Sequence, residues 1–176
     1  RQLSPSALRS KVGALLQDNV LLTGSIRENI MLGREDLGDE EMLRAAKVTL
    51  AHDFISRFPH GYDLSLADRG ESLSGGQRQS IAMTRALVGK PPIIVMDEPT
   101  SSVDTDTERR LMENLREEFA GRTLVLITHR PSLLRMVDRI IMLANGKLVM
   151  DGTPEAIRNQ VANIKSASRD RNGQAA

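Results

Sequence analysis

Two short stretches of this sequence carry residue types that could do chemistry. The first is Ile93-Ile94-Val95-Met96-Asp97-Glu98, an apolar run that ends in adjacent carboxylates. It reads as a buried strand, and open α/β sheets bind their ligands at the carboxyl ends of strands. Side chains alternate across a strand, so Asp97 and Glu98 cannot share one job. One can face a metal ion while the other faces a reacting group. The alternative is a strand that merely ends in acids. The second stretch is Leu73-Ser74-Gly75-Gly76-Gln77, where Ser74 caps a helix expected to run to about Val88. Two glycines in a first helical turn cost about 1 kcal/mol each relative to alanine. A helix that tolerates them presents bare backbone N–H groups to an anion at its positive end. The alternative is a turn. A chance match to these five letters in a chain of this length is on the order of one in several thousand.

The elements that must position these residues follow from local pattern. Ser4-Pro5 opens a short helix through about Lys11, and Val12 to Leu16 reads as a buried strand ending at Gln17. Asp39 to Leu50 is a helix, Ala51 to Phe58 a shorter one, and Tyr62 to Leu73 a loop. Gly89-Lys90-Pro91-Pro92 stops the helix capped by Ser74. From there the pattern predicts strand Ile93–Asp97, helix Asp106–Phe119, strand Thr123–Thr128, helix Pro131–Met136 and strand Arg139–Leu143. Such alternation implies a parallel sheet covered by helices. Asn145-Gly146 marks a two-residue hairpin. Ser166 to Ala176 is polar and small, and is expected to be a frayed tail.

Composition removes several classes. With 176 residues, 40% of them hydrophobic, the chain can bury one core. Its 24 Lys and Arg nearly balance 23 Asp and Glu, which argues against coating a phosphate backbone. Three Phe, one Tyr and no Trp leave little for stacking on bases, so no nucleic-acid partner is expected. The absence of Cys excludes disulfides, thiolate zinc sites and thiol nucleophiles. No apolar run approaches the roughly 18 to 20 residues that cross a bilayer.

Taken in order, Gln17, Leu73–Gln77, Ile93–Glu98, Ser101-Ser102-Val103-Asp104 and His129 resemble the nucleotide-binding domain of an ATP-binding cassette (ABC) transporter. Leu73–Gln77 matches the signature motif, Ile93–Glu98 Walker B, Ser101–Asp104 the D-loop and His129 the switch histidine. Gln17-Asp18 with Leu22 to Ile30 is similar to the Q-loop region of exporters, and Asp68 to Glu71 to their X-loop. The stretch from Thr128 to Gly152 looks closest to bacterial type I secretion ATPases. The resemblance runs from about Gln2 to Gln160.

The resemblance implies an α/β fold: a P-loop NTPase-like parallel sheet flanked by helices, with a helical signature subdomain over about 25–90. The domain would span 1–162 and the tail 163–176, with the N-terminal β subdomain and phosphate loop missing. It also implies ATP and Mg²⁺ as ligands. Asp97 and Gln17 would serve the metal, with the catalytic roles falling to Glu98, which would polarise the attacking water, Gln17, which would also reach that water, and His129, which would contact the γ-phosphate. Ser74, Gly75, Gly76 and Gln77 would close over ATP held by a second nucleotide-binding domain, with Asp104 at the same seam of a homodimer. The implied setting is the cytoplasmic face of a bacterial inner membrane, joined to a transmembrane domain and driving efflux, with protein secretion preferred. Two other readings stay open here: a soluble ABC-type ATPase acting on DNA or ribosomes, and a non-catalytic module derived from the same fold.

The family also requires Gly-x-x-x-x-Gly-Lys-Ser/Thr. Gly89-Lys90 has Thr84 at the first glycine and Pro91 after the lysine; Gly146-Lys147 has Ile141 and Leu148. Neither qualifies, so truncation of a longer polypeptide is expected, and these residues alone are expected to be inactive.

Overall fold

The computed structural model describes the backbone of residues 4–34 and 36–173, and their side chains apart from 68 and 164–173. Gln2, where the resemblance begins, and 174–176 of the expected tail lie outside the described residues. Two compact units are present, Arg1–His129 and Arg130–Ala176.

The first unit is built on a parallel sheet of β1 (Val12–Leu15), β4 (Ile93–Asp97) and β5 (Thr123–Ile127), in the order β1-β4-β5. Register runs from Val12↔Ile93 to Leu15↔Met96 and from Ile93↔Thr123 to Asp97↔Ile127. Helix α1 (Pro5–Arg9) precedes β1, with the Ser4 hydroxyl accepting from the Ala7 N–H as its cap. A two-stranded antiparallel ribbon joins β2 (Gly24–Ser25) to β3 (Ser65–Leu66). Helices α2 (Ile26–Met31), α3 (Asp39–Val48) and α4 (Ala51–Ile55) pack around α5 (Gly75–Leu87), which also packs on β1. Ile30, Met42, Ile55, Ile81, Leu87 and Ile94 are fully buried there. Each such side chain contributes on the order of 1.5–3 kcal/mol.

Local sequence accounts for these elements. The Ser25 hydroxyl accepts from the Glu28 N–H, and the Glu28 carboxylate accepts from the Ser25 N–H, a reciprocal box that starts α2. Asp39, Glu40 and Glu41 occupy the first turn of α3 and Lys47 its last, which complements the helix dipole. Charge then ties α3 to α6 (Thr105–Glu118). Arg44 Nη2 lies 2.6 Å from Glu41, while Glu118 sits 2.7 Å from Arg44 Nη1 and 2.8 Å from Arg122 Nη2. The Arg44 Nη1 contact is an ion pair at an angle that makes no hydrogen bond. Arg44 also holds the Glu41 carboxyl below the usual carboxylate range.

The second unit holds a 3₁₀ turn at Pro131–Met136, β6 (Ile140–Ala144), β7 (Lys147–Gly152) and α7 (Pro154–Gly173). The Asn145-Gly146 hairpin forms as expected, both residues having positive φ (50° and 72°). One expectation is corrected here: Pro131–Met136 is 3₁₀ rather than α-helical. β6 and β7 form the antiparallel pair that the hairpin signal predicts. In addition, α7 continues through most of the segment expected as a tail, since no proline or glycine interrupts it between Pro154 and Gly173.

Candidate functional site

The carboxyl edge of the sheet gathers the acids. β4 ends at Asp97, and Glu98 then takes a left-handed backbone conformation, φ 47°. The turn is pinned on both sides. The Glu98 N–H donates to the Ile127 carbonyl at 2.9 Å, and the Glu98 carbonyl accepts from the Ser101 N–H at 3.2 Å. The turn swings the Glu98 carboxylate towards the end of β5. There Oε1 accepts from the His129 N–H at 3.0 Å and lies 2.7 Å from His129 Nδ1. Thr128 Oγ1 is 3.4 Å from Oε2. The Glu98 side chain is 18% exposed and that of His129 79%. With the Nδ1 proton directed at Glu98, Nε2 is left for another partner in solvent. The structure therefore brings the predicted pair Glu98 and His129 into direct contact.

Asp97 and Gln17 share the same edge. Leu15 is in register with Met96, so Gln17, two residues beyond β1, lies just past the ends of neighbouring strands. Gln17 is exposed, and no hydrogen bond joins it to Asp97 or Glu98 among the described residues. Nor does any group of three or more His, Asp or Glu among those residues form a metal cage. This donor set fits Mg²⁺ at a phosphate site, where one or two protein oxygens complete a shell of phosphate and water. It does not fit an all-protein site.

The glycine pair begins α5 as predicted. The Ser74 hydroxyl accepts from the Gln77 N–H, and Gln77 Oε1 accepts from the Ser74 N–H at 2.9 Å. Gln77 is thus a capping residue in this chain. Gly75 is exposed and Gly76 half-buried at the open end of the helix. Gly76 has a second reason to be glycine: a Cβ there would come 2.9 Å from the Ser102 carbonyl oxygen. The signature turn and the 101–104 segment are therefore packed backbone to backbone.

Asp104 ends that segment as the cap of α6. Its Oδ1 accepts from the N–H groups of Asp106 and Thr107, and its Oδ2 from Thr107 Oγ1 at 2.7 Å. The Thr107 N–H and hydroxyl hold this carboxyl below its usual value. Upstream, Asp68–Gly70 forms a 3₁₀ turn broken by Arg69 at φ 54°. Sequence reasoning missed Gln79, whose side chain joins α5 to the 98–102 turn. The available signal was a polar residue in line with Ala82, Met83 and Ala86 on the buried face of α5.

Comparison with known proteins agrees with this arrangement. A family model described as "ABC transporter" matches residues 1–101. The leukotoxin translocation ATP-binding protein LktB of Mannheimia glucosida is 47% identical over 148 residues, 84% of this chain and 21% of that protein. LktB of Bibersteinia trehalosi has the same identity and coverage: 47% over 148 residues, 84% and 21%. A solved structure of a bacterial Atm1-family ABC exporter with ATP bound superposes with a TM-score of 0.83 at 37% identity, covering 88% of this chain and 27% of that one. The chain spans about one fifth of the length of the curated relatives it matches. Matched over more than half its length and close to half identical to such relatives, this chain belongs to the ABC transporter family.

Proposed function

We propose that the chain is part of the ATP-hydrolysing domain of a membrane exporter, at the cytoplasmic face of a bacterial inner membrane, and that it works as one half of a homodimer. Magnesium ATP would supply the electrophilic γ-phosphorus and neutralise charge on the leaving phosphates. Glu98 holds and orients the attacking water and accepts its proton, while His129 fixes Glu98 through its backbone N–H and Nδ1, with the exposed edge of its ring towards the γ-phosphate. Asp97 and Gln17 would provide protein oxygens to the metal shell. The open end of α5 at Ser74–Gly76 faces the nucleotide of the second domain, with Asp104 at the same seam. A glycine-lysine phosphate loop elsewhere in the intact protein would cradle the β- and γ-phosphates.

The observation that carries this reading is the 2.7 Å Glu98–His129 contact beside Asp97 at the carboxyl edge of the sheet. Export of a protein cargo is favoured by likeness to the two relatives named for leukotoxin translocation. The test is Glu98→Gln in the intact protein. ATP binding should persist and a closed dimer accumulate, while hydrolysis falls about 10²–10⁴-fold. Unimpaired turnover in that variant would remove Glu98 from the role.

A further inference from the structure

We propose that Gln79 is a positioning residue that locks the signature helix to the turn carrying the hydrolytic carboxylate. Gln79 is 2% exposed. Its Nε2 donates to the Glu98 carbonyl at 3.0 Å and to Ser101 Oγ at 3.1 Å, and its Oε1 accepts from the Ser102 N–H at 3.2 Å. Both ends of the amide are therefore used, and the pattern of donor and acceptor fixes its orientation.

The partners matter more than their number. Glu98 stands in a left-handed conformation that non-glycine residues adopt at a cost of about 1–2 kcal/mol, and such geometry persists only where the surroundings over-determine it. The Ile127 carbonyl restrains Glu98 from its amide side. Gln79 restrains it from its carbonyl side, and does so from α5. The same amide grips Ser102, whose carbonyl stacks against Gly76. Ser74–Gly76, Glu98 and the 101–104 segment leading to Asp104 are thus joined through one side chain. Any displacement of the helix end passes directly to the backbone that aims Glu98. Gln79 sits one turn beyond the glycine pair and has no path to a nucleotide of its own, because it is enclosed by this turn.

The inference rests on Glu98 as the water-activating group. The experiment uses the intact protein with Gln79→Met, Gln79→Glu, Ser101→Ala and, as reference, Glu98→Gln. Steady-state hydrolysis, ATP affinity and hydrogen exchange of the 98–104 segment are measured. Gln79→Met keeps the volume and removes every bond. It should lower kcat about 10–100-fold, with KM for ATP changed by less than about threefold. Exchange at the Ser102 amide should accelerate while the rest of α5 stays protected. Gln79→Glu retains the acceptor for Ser102 but loses both donors, and should be impaired to a similar degree. Ser101→Ala, which loses one bond of three, should be affected least. If Gln79→Met and Gln79→Glu both keep kcat within about twofold while Glu98→Gln stops turnover, the proposal is overturned. If Glu98→Gln turns over normally, the function assigned to Glu98 falls instead. The exchange at 98–104 then still decides whether Gln79 holds the turn.

Discussion

His129 Nδ1 lies 2.7 Å from Glu98 Oε1, and the His129 N–H binds the same oxygen at 3.0 Å. A histidine two residues past the end of β5 thereby holds, by ring and by backbone, the carboxylate one residue past the end of β4. A histidine used in this way has a defined rotamer and one nitrogen to spare. His129→Ala should therefore leave nucleotide affinity nearly unchanged and reduce hydrolysis by the intact protein about 10²–10³-fold. The surviving backbone contact should keep Glu98 partly placed, so residual activity should exceed that of Glu98→Gln. Parallel binding and steady-state assays on the two variants check the order.

The 176 residues contain no Gly-x-x-x-x-Gly-Lys-Ser/Thr loop. Without amides and a lysine around the β- and γ-phosphates, affinity for the nucleotide should be poor and hydrolysis negligible in this segment alone. Calorimetric titration with magnesium ATP should show no micromolar binding, and a micromolar constant would contradict this account.

Glu118 sits between Arg44 and Arg122, with its side chain only 10% exposed. Removing it takes a carboxylate from both Arg122 and Arg44, and Arg44 keeps only its pair with Glu41. Glu118→Leu should destabilise the chain by roughly 3 kcal/mol, more than the loss of an exposed pair would. A fall in the denaturant midpoint with little change in slope would show it.

Tyr62 is the one tyrosine of the chain, and burial raises its pKa to about 12. Its hydroxyl is 3.0 Å from His52 Nδ1. Because the folded value lies above the unfolded one of 10.0, the stabilisation is complete below pH 10 and is lost as pH rises towards 12. Phenolate absorbance of the folded chain should therefore rise near pH 12, and near pH 10 after denaturation. Coincident curves would disprove the burial effect.

Much of the site is written in local pattern. Ser74 and the Gly89–Pro92 stop mark the ends of α5, and the acids after Met96 mark the ligand-binding edge. What the pattern lacks is neighbourhood. β1 pairs with β4 across most of the first unit, and alternation of elements does not say which strands touch. Helix α2 escapes a reading by periodicity because six residues make fewer than two turns. Its Ser25–Glu28 box is the cue that remains. Gln79 escapes for a different reason: its partners are a carbonyl, an amide and a hydroxyl from residues 98–102, none of which has a sequence signature.

The left-handed backbone at Glu98 sets durability against turnover. Glycine is the residue that φ of 47° suits best, and glycine has no carboxylate. Selection for heat tolerance alone should therefore enrich glycine at this one position in a variant library, yielding proteins that outlast the parent and consume no fuel.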